Sequence, residues 1–105
     1  MSSSILTPKE VARKLSLAQT EIFRLGVRRL ALFGSVQREV AQADSDVDLL
    51  VEFTVGEKTY DRFLSLAELL ERILERPVDL LTPESLSPFL GPHILAEAKD
   101  VLRAA

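Results

Sequence analysis

Asp46 and Asp48 alternate at the opening of an apolar run that ends at Phe53, and the dipeptide Gly34-Ser35 closes an earlier one. Alternate residues of a strand share a face, so the two carboxylates lie side by side, ~6.5 to 7 Å apart along the chain. Like charges this close repel unless a cation lies between them. Oxygen-only ligands suit Mg²⁺, which usually binds through one or two carboxylates together with substrate phosphates. A Gly-Ser turn offers backbone N–H groups that can hold those phosphates. Metal and phosphate sites set together point to chemistry on a nucleoside triphosphate.

Asp79 adds to this pattern. It interrupts the short apolar run Pro77-Val78-Asp79-Leu80-Leu81, and aspartate is disfavoured in strands. Taken alone it reads equally as an edge residue facing water or as a third carboxylate facing Asp46 and Asp48 across a sheet; the upstream motif favours the second. Two other readings fail. Asp44, Asp46 and Asp48 open like a calcium loop, but Leu49 and Val55 stand where that loop needs Gly and Glu. The lysine of a Walker-type phosphate loop is missing after Gly34-Ser35. His93, the only histidine, follows a proline and reads as a surface or helix-start residue. Arg24, Arg28 and Arg29 read as solvated.

These residues need elements to position them. Thr7-Pro8-Lys9-Glu10 has the form of a capping box with proline at the first helical position. Val11, Leu15, Ala18, Ile22 and Leu25 then recur at helical spacing. A first helix is predicted over 8–25, closed by Gly26. Residues 28–33 form a strand. Residues 36–42 form a short helix whose N-terminus points at whatever Gly34 and Ser35 hold. Residues 46–53 form the second strand, with Asp46, Asp48, Leu50 and Glu52 on one face. A helix follows over 60–75, a third strand over 77–81, a turn at Thr82-Pro83-Glu84, irregular chain over 87–92 and a last helix over 93–102. The order predicts an α/β (α+β) domain with a small mixed sheet backed by helices.

With 105 residues there is room for one domain and one core, and residues 1–6 read as a loose lead-in. A net charge of −3 argues against general nucleic-acid binding, which needs a basic face. The chain has no cysteine, which excludes disulfides and thiolate metal sites and fits a cytoplasmic setting. No apolar run approaches the ~18 residues of a membrane helix, and MSSSILTPKE lacks the pattern of a secretion signal.

The combined pattern resembles the minimal nucleotidyltransferases of the polymerase-β-like superfamily. Their signature is Gly-Ser, a short gap, Arg-Gly, then Ser-Asp-x-Asp-Leu-x-Val and a third Asp in a later strand. This sequence carries Gly34-Ser35, Arg38, Ser45-Asp46-Val47-Asp48-Leu49-Leu50-Val51 and Asp79. The likeness runs from about Arg28 to the C-terminus, with one departure: Glu39 stands where the family has Gly.

The resemblance implies the polymerase-β-like nucleotidyltransferase fold and transfer of AMP from ATP. Asp46, Asp48 and Asp79 then hold two Mg²⁺ ions, and Asp79 also helps to deprotonate the acceptor. Gly34 and Ser35 hold the β and γ phosphates, with Arg38 as a further phosphate contact. It also implies a partner, a small helical HEPN-type ribonuclease toxin modified on a tyrosine, with this chain as the antitoxin. The alternative is a catalytically inactive antitoxin, or a nucleotide-binding module, that neutralises a helical partner by binding.

Overall fold

The computed structural model describes residues 5–104. Thr7 caps the first helix, α1 (Pro8–Leu17), as the sequence indicates: its Oγ1 accepts from the Glu10 amide at 3.2 Å, and the Glu10 carboxylate accepts from the Thr7 amide at 3.3 Å. The helix does not run through to Leu25. The Ala18 amide turns back to the Leu15 carbonyl, and a second helix, α2 (Gln19–Arg24), starts afresh. No glycine or proline marks this break. Gly26, in the left-handed conformation, then leads into β1 (Val27–Phe33).

A single helical turn, α3 (Gly34–Gln37), follows β1 directly. It starts earlier and ends sooner than the predicted 36–42. β2 spans Val47–Phe53, so Asp46 lies just ahead of it. The long helix α4 (Tyr60–Leu74) is capped by Thr59, whose hydroxyl accepts from the Arg62 amide at 3.1 Å. It carries the chain back to β3 (Val78–Leu81), parallel to β2, as a crossover connection must. A 3₁₀ turn (Pro83–Ser85) precedes α5 (Gly91–Glu97).

The end of the chain departs from expectation. The predicted helix over 93–102 stops at Glu97, and Lys99–Arg103 forms a fourth strand, β4, antiparallel to β1. Ile94, Ala98, Val101 and Leu102 fit a helical spacing, but the tertiary pairing wins. Arg29 on β1 bonds Asp100 of β4 at 2.8 Å and Glu52 of β2 on its other side, a charge ladder across three strands. Arg29 is therefore an ion-paired strand residue and not a solvated one. The sheet order is β3-β2-β1-β4.

One face of the sheet carries the main core. Leu30, Leu32, Leu49 and Val51 pack against Val11, Leu15 and Ile22 from α1 and α2 and Leu66, Leu70 and Leu74 from α4. Each fully buried leucine there contributes about 1.5–3 kcal/mol. Leu6 joins this core, so the expected loose lead-in does not reach it; residues 1–4 lie outside the described residues. The opposite face holds a smaller cluster of Ala31, Phe33 and Leu50 beneath Leu81, Leu86, Ile94 and Ala98. By strand alternation, Asp48 and Asp79 share that second face. Among the described residues, no helix is long and apolar enough to cross a membrane.

Candidate active site

The register of the sheet brings the predicted carboxylates together. Asp48 is the direct partner of Asp79 in the parallel pairing of β2 with β3, and neighbouring strands lie ~4.7–4.9 Å apart. Asp46 sits two residues earlier at the mouth of β2. Asp46 and Asp79 are exposed, whereas Asp48 is half-buried, and its carboxylate has no hydrogen bond or ion pair among the described residues. Burial first, then the charges of Asp79 and Asp46, pushes the Asp48 pKa up from 3.8 to about 6.

A half-buried carboxylate with two like charges beside it, no hydrogen bond or ion pair, and only the more distant Arg38 charge in its favour is a site that a cation would relieve. Among the described residues no group of three acidic or histidine side chains is placed to hold a metal ion by itself. Mg²⁺ does not need one, because it keeps waters and takes phosphate oxygens alongside one or two carboxylates. The oxygen-only donors at Asp46, Asp48 and Asp79 fit that chemistry.

Gly34 stands directly against Asp48. Its φ is +79°, and a Cβ built there would fall 1.9 Å from Asp48 Oδ2 and 2.7 Å from Cγ. Only glycine meets both demands, the left-handed backbone and the close approach. The Gly-Ser turn and the Asp-x-Asp segment are therefore one site, closed by van der Waals contact. The predicted contribution of a helix dipole does not hold, because α3 has four residues and too few peptides align to sum. The polar groups this turn presents are instead local amides and the Ser35 hydroxyl, which has no side-chain hydrogen bond among the described residues.

The strongest contact of this turn was invisible in the sequence. The Gly34 amide donates to Glu97 Oε2 at 2.5 Å, and Arg38 Nη1 donates to Glu97 Oε1 at 2.8 Å. The Gly34 amide, with Arg38 in support, holds the Glu97 carboxyl below the usual carboxylate range. Arg38 thus belongs to the site, but paired with a carboxylate at the end of α5. Glu39 is exposed, with φ +60°. That conformation costs an L-residue about 1–2 kcal/mol and glycine almost nothing, which is a backbone reason for glycine at this position in the family signature. Phe33, Gly34, Arg38, Leu90, His93 and Glu97 border a cleft of about 270 Å³; His93 is thus a surface residue on its rim. A larger apolar groove of about 500 Å³ runs between the start of α4 and β3, beside Tyr60, Phe63 and Leu81.

The sequence profile of the nucleotidyltransferase domain matches residues 13–101, which takes in the Gly-Ser turn and all three aspartates. The chain belongs to the nucleotidyltransferase domain family. Among relatives of this nucleotidyltransferase, a candidate protein adenylyltransferase of Methanocaldococcus jannaschii is 42% identical over 77% of this chain and 86% of its own length. The protein adenylyltransferase MntA of Thermococcus cleftensis is 37% identical over 90% of this chain and 95% of its own. The fold matches the solved structure of a candidate minimal nucleotidyltransferase with a TM-score of 0.75 and 33% identity, over 90% of this chain and 95% of that one. It also matches an MNT antitoxin solved with a tri-AMPylated HEPN toxin of Shewanella oneidensis. The TM-score there is 0.55 at 22% identity, over 85% of this chain and 72% of that one, a likeness of fold. This nucleotidyltransferase is therefore an enzyme of the minimal type, with the mixed four-stranded sheet of that group.

Proposed function

We propose that this nucleotidyltransferase transfers AMP from ATP to a protein hydroxyl, and that its acceptor is a tyrosine of a small helical HEPN-type ribonuclease toxin, silenced by the modification. The observation that carries the reading is the half-buried Asp48, without a hydrogen bond or ion pair, in register with Asp79 and in contact range of the Gly34 backbone. The relatives named protein adenylyltransferase and the AMPylated complex among the structural matches support the same reaction class.

In this account Gly34 and Ser35 hold the β and γ phosphates through backbone and hydroxyl donors, and Arg38 adds a guanidinium contact. Asp46, Asp48 and Asp79 would hold two Mg²⁺ ions, which supply neutralisation of charge on the attacking and leaving oxygens. A carboxylate oxygen of Asp79 takes the proton of the acceptor hydroxyl as its oxygen approaches the α phosphorus. The bond from the α phosphorus to the bridging oxygen breaks, and pyrophosphate departs along the Gly34-Ser35 turn. A cytoplasmic site of action goes with this reading, since ATP and the toxin meet there.

The test is intact-mass spectrometry of a small helical protein encoded beside this chain, after incubation with the nucleotidyltransferase, ATP and MgCl₂. The expected result is a mass gain of one or more AMP groups that depends on ATP. A stable complex of the two proteins with no mass gain would replace this reading with that of a binding-only antitoxin.

A further inference from the structure

Glu97 does something that neither the transfer reaction nor the sheet requires. It is the last residue of α5, and its two carboxylate oxygens take up the two groups best suited to a phosphate, the Gly34 amide at 2.5 Å and the Arg38 guanidinium at 2.8 Å. A carboxylate and a phosphate oxygen compete for such donors on equal geometric terms, each accepting short charge-assisted hydrogen bonds. Glu97 also reaches its place without Asp48, which it approaches only as a like charge. It therefore does not relieve the three aspartates; it adds a further negative charge to their side of the sheet.

We propose that Glu97 is a built-in placeholder for phosphate, which occupies the Gly34 turn and Arg38 in the nucleotide-free protein and must be displaced by the triphosphate for the site to load. This rests on the reading of Gly34, Ser35 and Arg38 as the phosphate-holding groups. The placeholder has two consequences. First, it sets a threshold: an incoming anion must forfeit the two bonds that Glu97 already makes. A polyphosphate with bound Mg²⁺ can do so, whereas a single inorganic phosphate has less to offer in return. Second, it couples nucleotide entry to the junction of α5 and β4, since Glu97 is followed within two residues by the start of that edge strand.

The energetic logic is that of a protein whose binding-competent state is a minority. Apparent affinity falls by the fraction of molecules in which the turn is open, so removing the placeholder returns that factor. A placeholder closed about nine-tenths of the time gives about a tenfold weakening. A purely structural role for Glu97, as a cap that pins α5 to the turn, predicts the opposite sign: losing the cap would loosen the site and weaken binding.

The experiment is calorimetric titration of the full chain with Mg-ATP and, separately, with inorganic tripolyphosphate, for the wild type, Glu97→Ala, Glu97→Gln and Glu39→Gln. Glu97→Ala should bind both ligands about tenfold more tightly than wild type, while unfolding at lower denaturant in their absence. Glu97→Gln keeps the size and one acceptor, and should fall between; it also serves if the alanine variant does not fold. Glu39→Gln removes the same charge from an exposed residue next to Arg38 and should change affinity by less than about twofold, as expected for a screened surface charge. Mg-ATP binding to the wild type that is unchanged or weaker in both Glu97 variants would overturn the placeholder while leaving the nucleotide site standing. An equal gain in Glu39→Gln would overturn it too, in favour of bulk charge. Absence of Mg-ATP binding in every variant would remove the nucleotide reading and the placeholder with it.

Discussion

Gly34→Ala should lower AMP transfer by at least about a hundredfold, the scale of loss expected when a reacting group is misplaced by an ångström. The added methyl would stand 1.9 Å from Asp48 Oδ2 and 3.0 Å from its Cβ. Asp48 cannot yield by moving its tip alone, because its whole side chain lies within the new contact. The substitution must rotate the carboxylate out of its place opposite Asp79, or push the Gly-Ser turn away from β2. Either movement separates the phosphate-holding amides from the aspartates. Stability should drop by about 1–2 kcal/mol from the left-handed backbone at this residue, measured by denaturant unfolding. Rates of transfer close to wild type in a folded Gly34→Ala protein would show that this contact does not position the reacting groups.

Asp48→Asn should have two effects of opposite kind. Transfer should fall by at least on the order of a hundredfold, as when a preorganised charged group is removed from a reaction centre. In excess chelator at neutral pH the same variant should be more stable than wild type. The sign follows from the pKa. Asp48 is raised from 3.8 to about 6 by burial and by Asp79 and Asp46, so the folded state binds its proton more tightly than the unfolded state does. The metal-free wild type is therefore relieved of this penalty below about pH 4, and loses stability as the pH rises through about 6. Discounted for solvent screening of a half-open group, the gain in the Asn variant at neutral pH is on the order of 1 kcal/mol. It should shrink towards zero as the pH falls to about 4, where the folded-state Asp48 is protonated and as uncharged as the Asn. Equal stability at both pH values, by chemical denaturation, would mean that Asp48 has a compensating partner in the folded protein. Mg²⁺ should stabilise the wild type and leave the variant unchanged.

Much of the site follows from alternation. Asp48 opens a strand whose other face is apolar, with Asp46 just ahead of it, and Asp79 interrupts a strand otherwise made of Val and Leu, so one face of two paired strands carries the charges. The shared face was legible, but the parallel register that sets Asp48 against Asp79 was not, because it depends on how α4 returns the chain to the sheet. What escaped the sequence was carried by distant partners. Lys99 to Arg103 reads as the tail of a helix because Val101 and Leu102 suit a 3.6-residue period; their strand conformation is decided by β1, where Arg29 waits for Asp100. Glu97 carries no local signal at all, since its partners Gly34 and Arg38 lie some sixty residues earlier. The break at Ala18 and the early end of α3 belong to the same class, set by packing and by the left-handed turn at Glu39 rather than by a breaker residue.

The central claim, that the aspartates and the Gly34 turn move AMP from ATP to a protein, is tested most directly by the position of a label. The helical partner protein is incubated with this nucleotidyltransferase, Mg²⁺ and ATP labelled at either the α or the γ phosphate, and protein-bound label is counted after denaturing electrophoresis. The account predicts label on the partner from α-labelled ATP, none from γ-labelled ATP, and none from either with Asp48→Asn. Label transferred from the γ position, or α label transferred undiminished by Asp48→Asn, would contradict it.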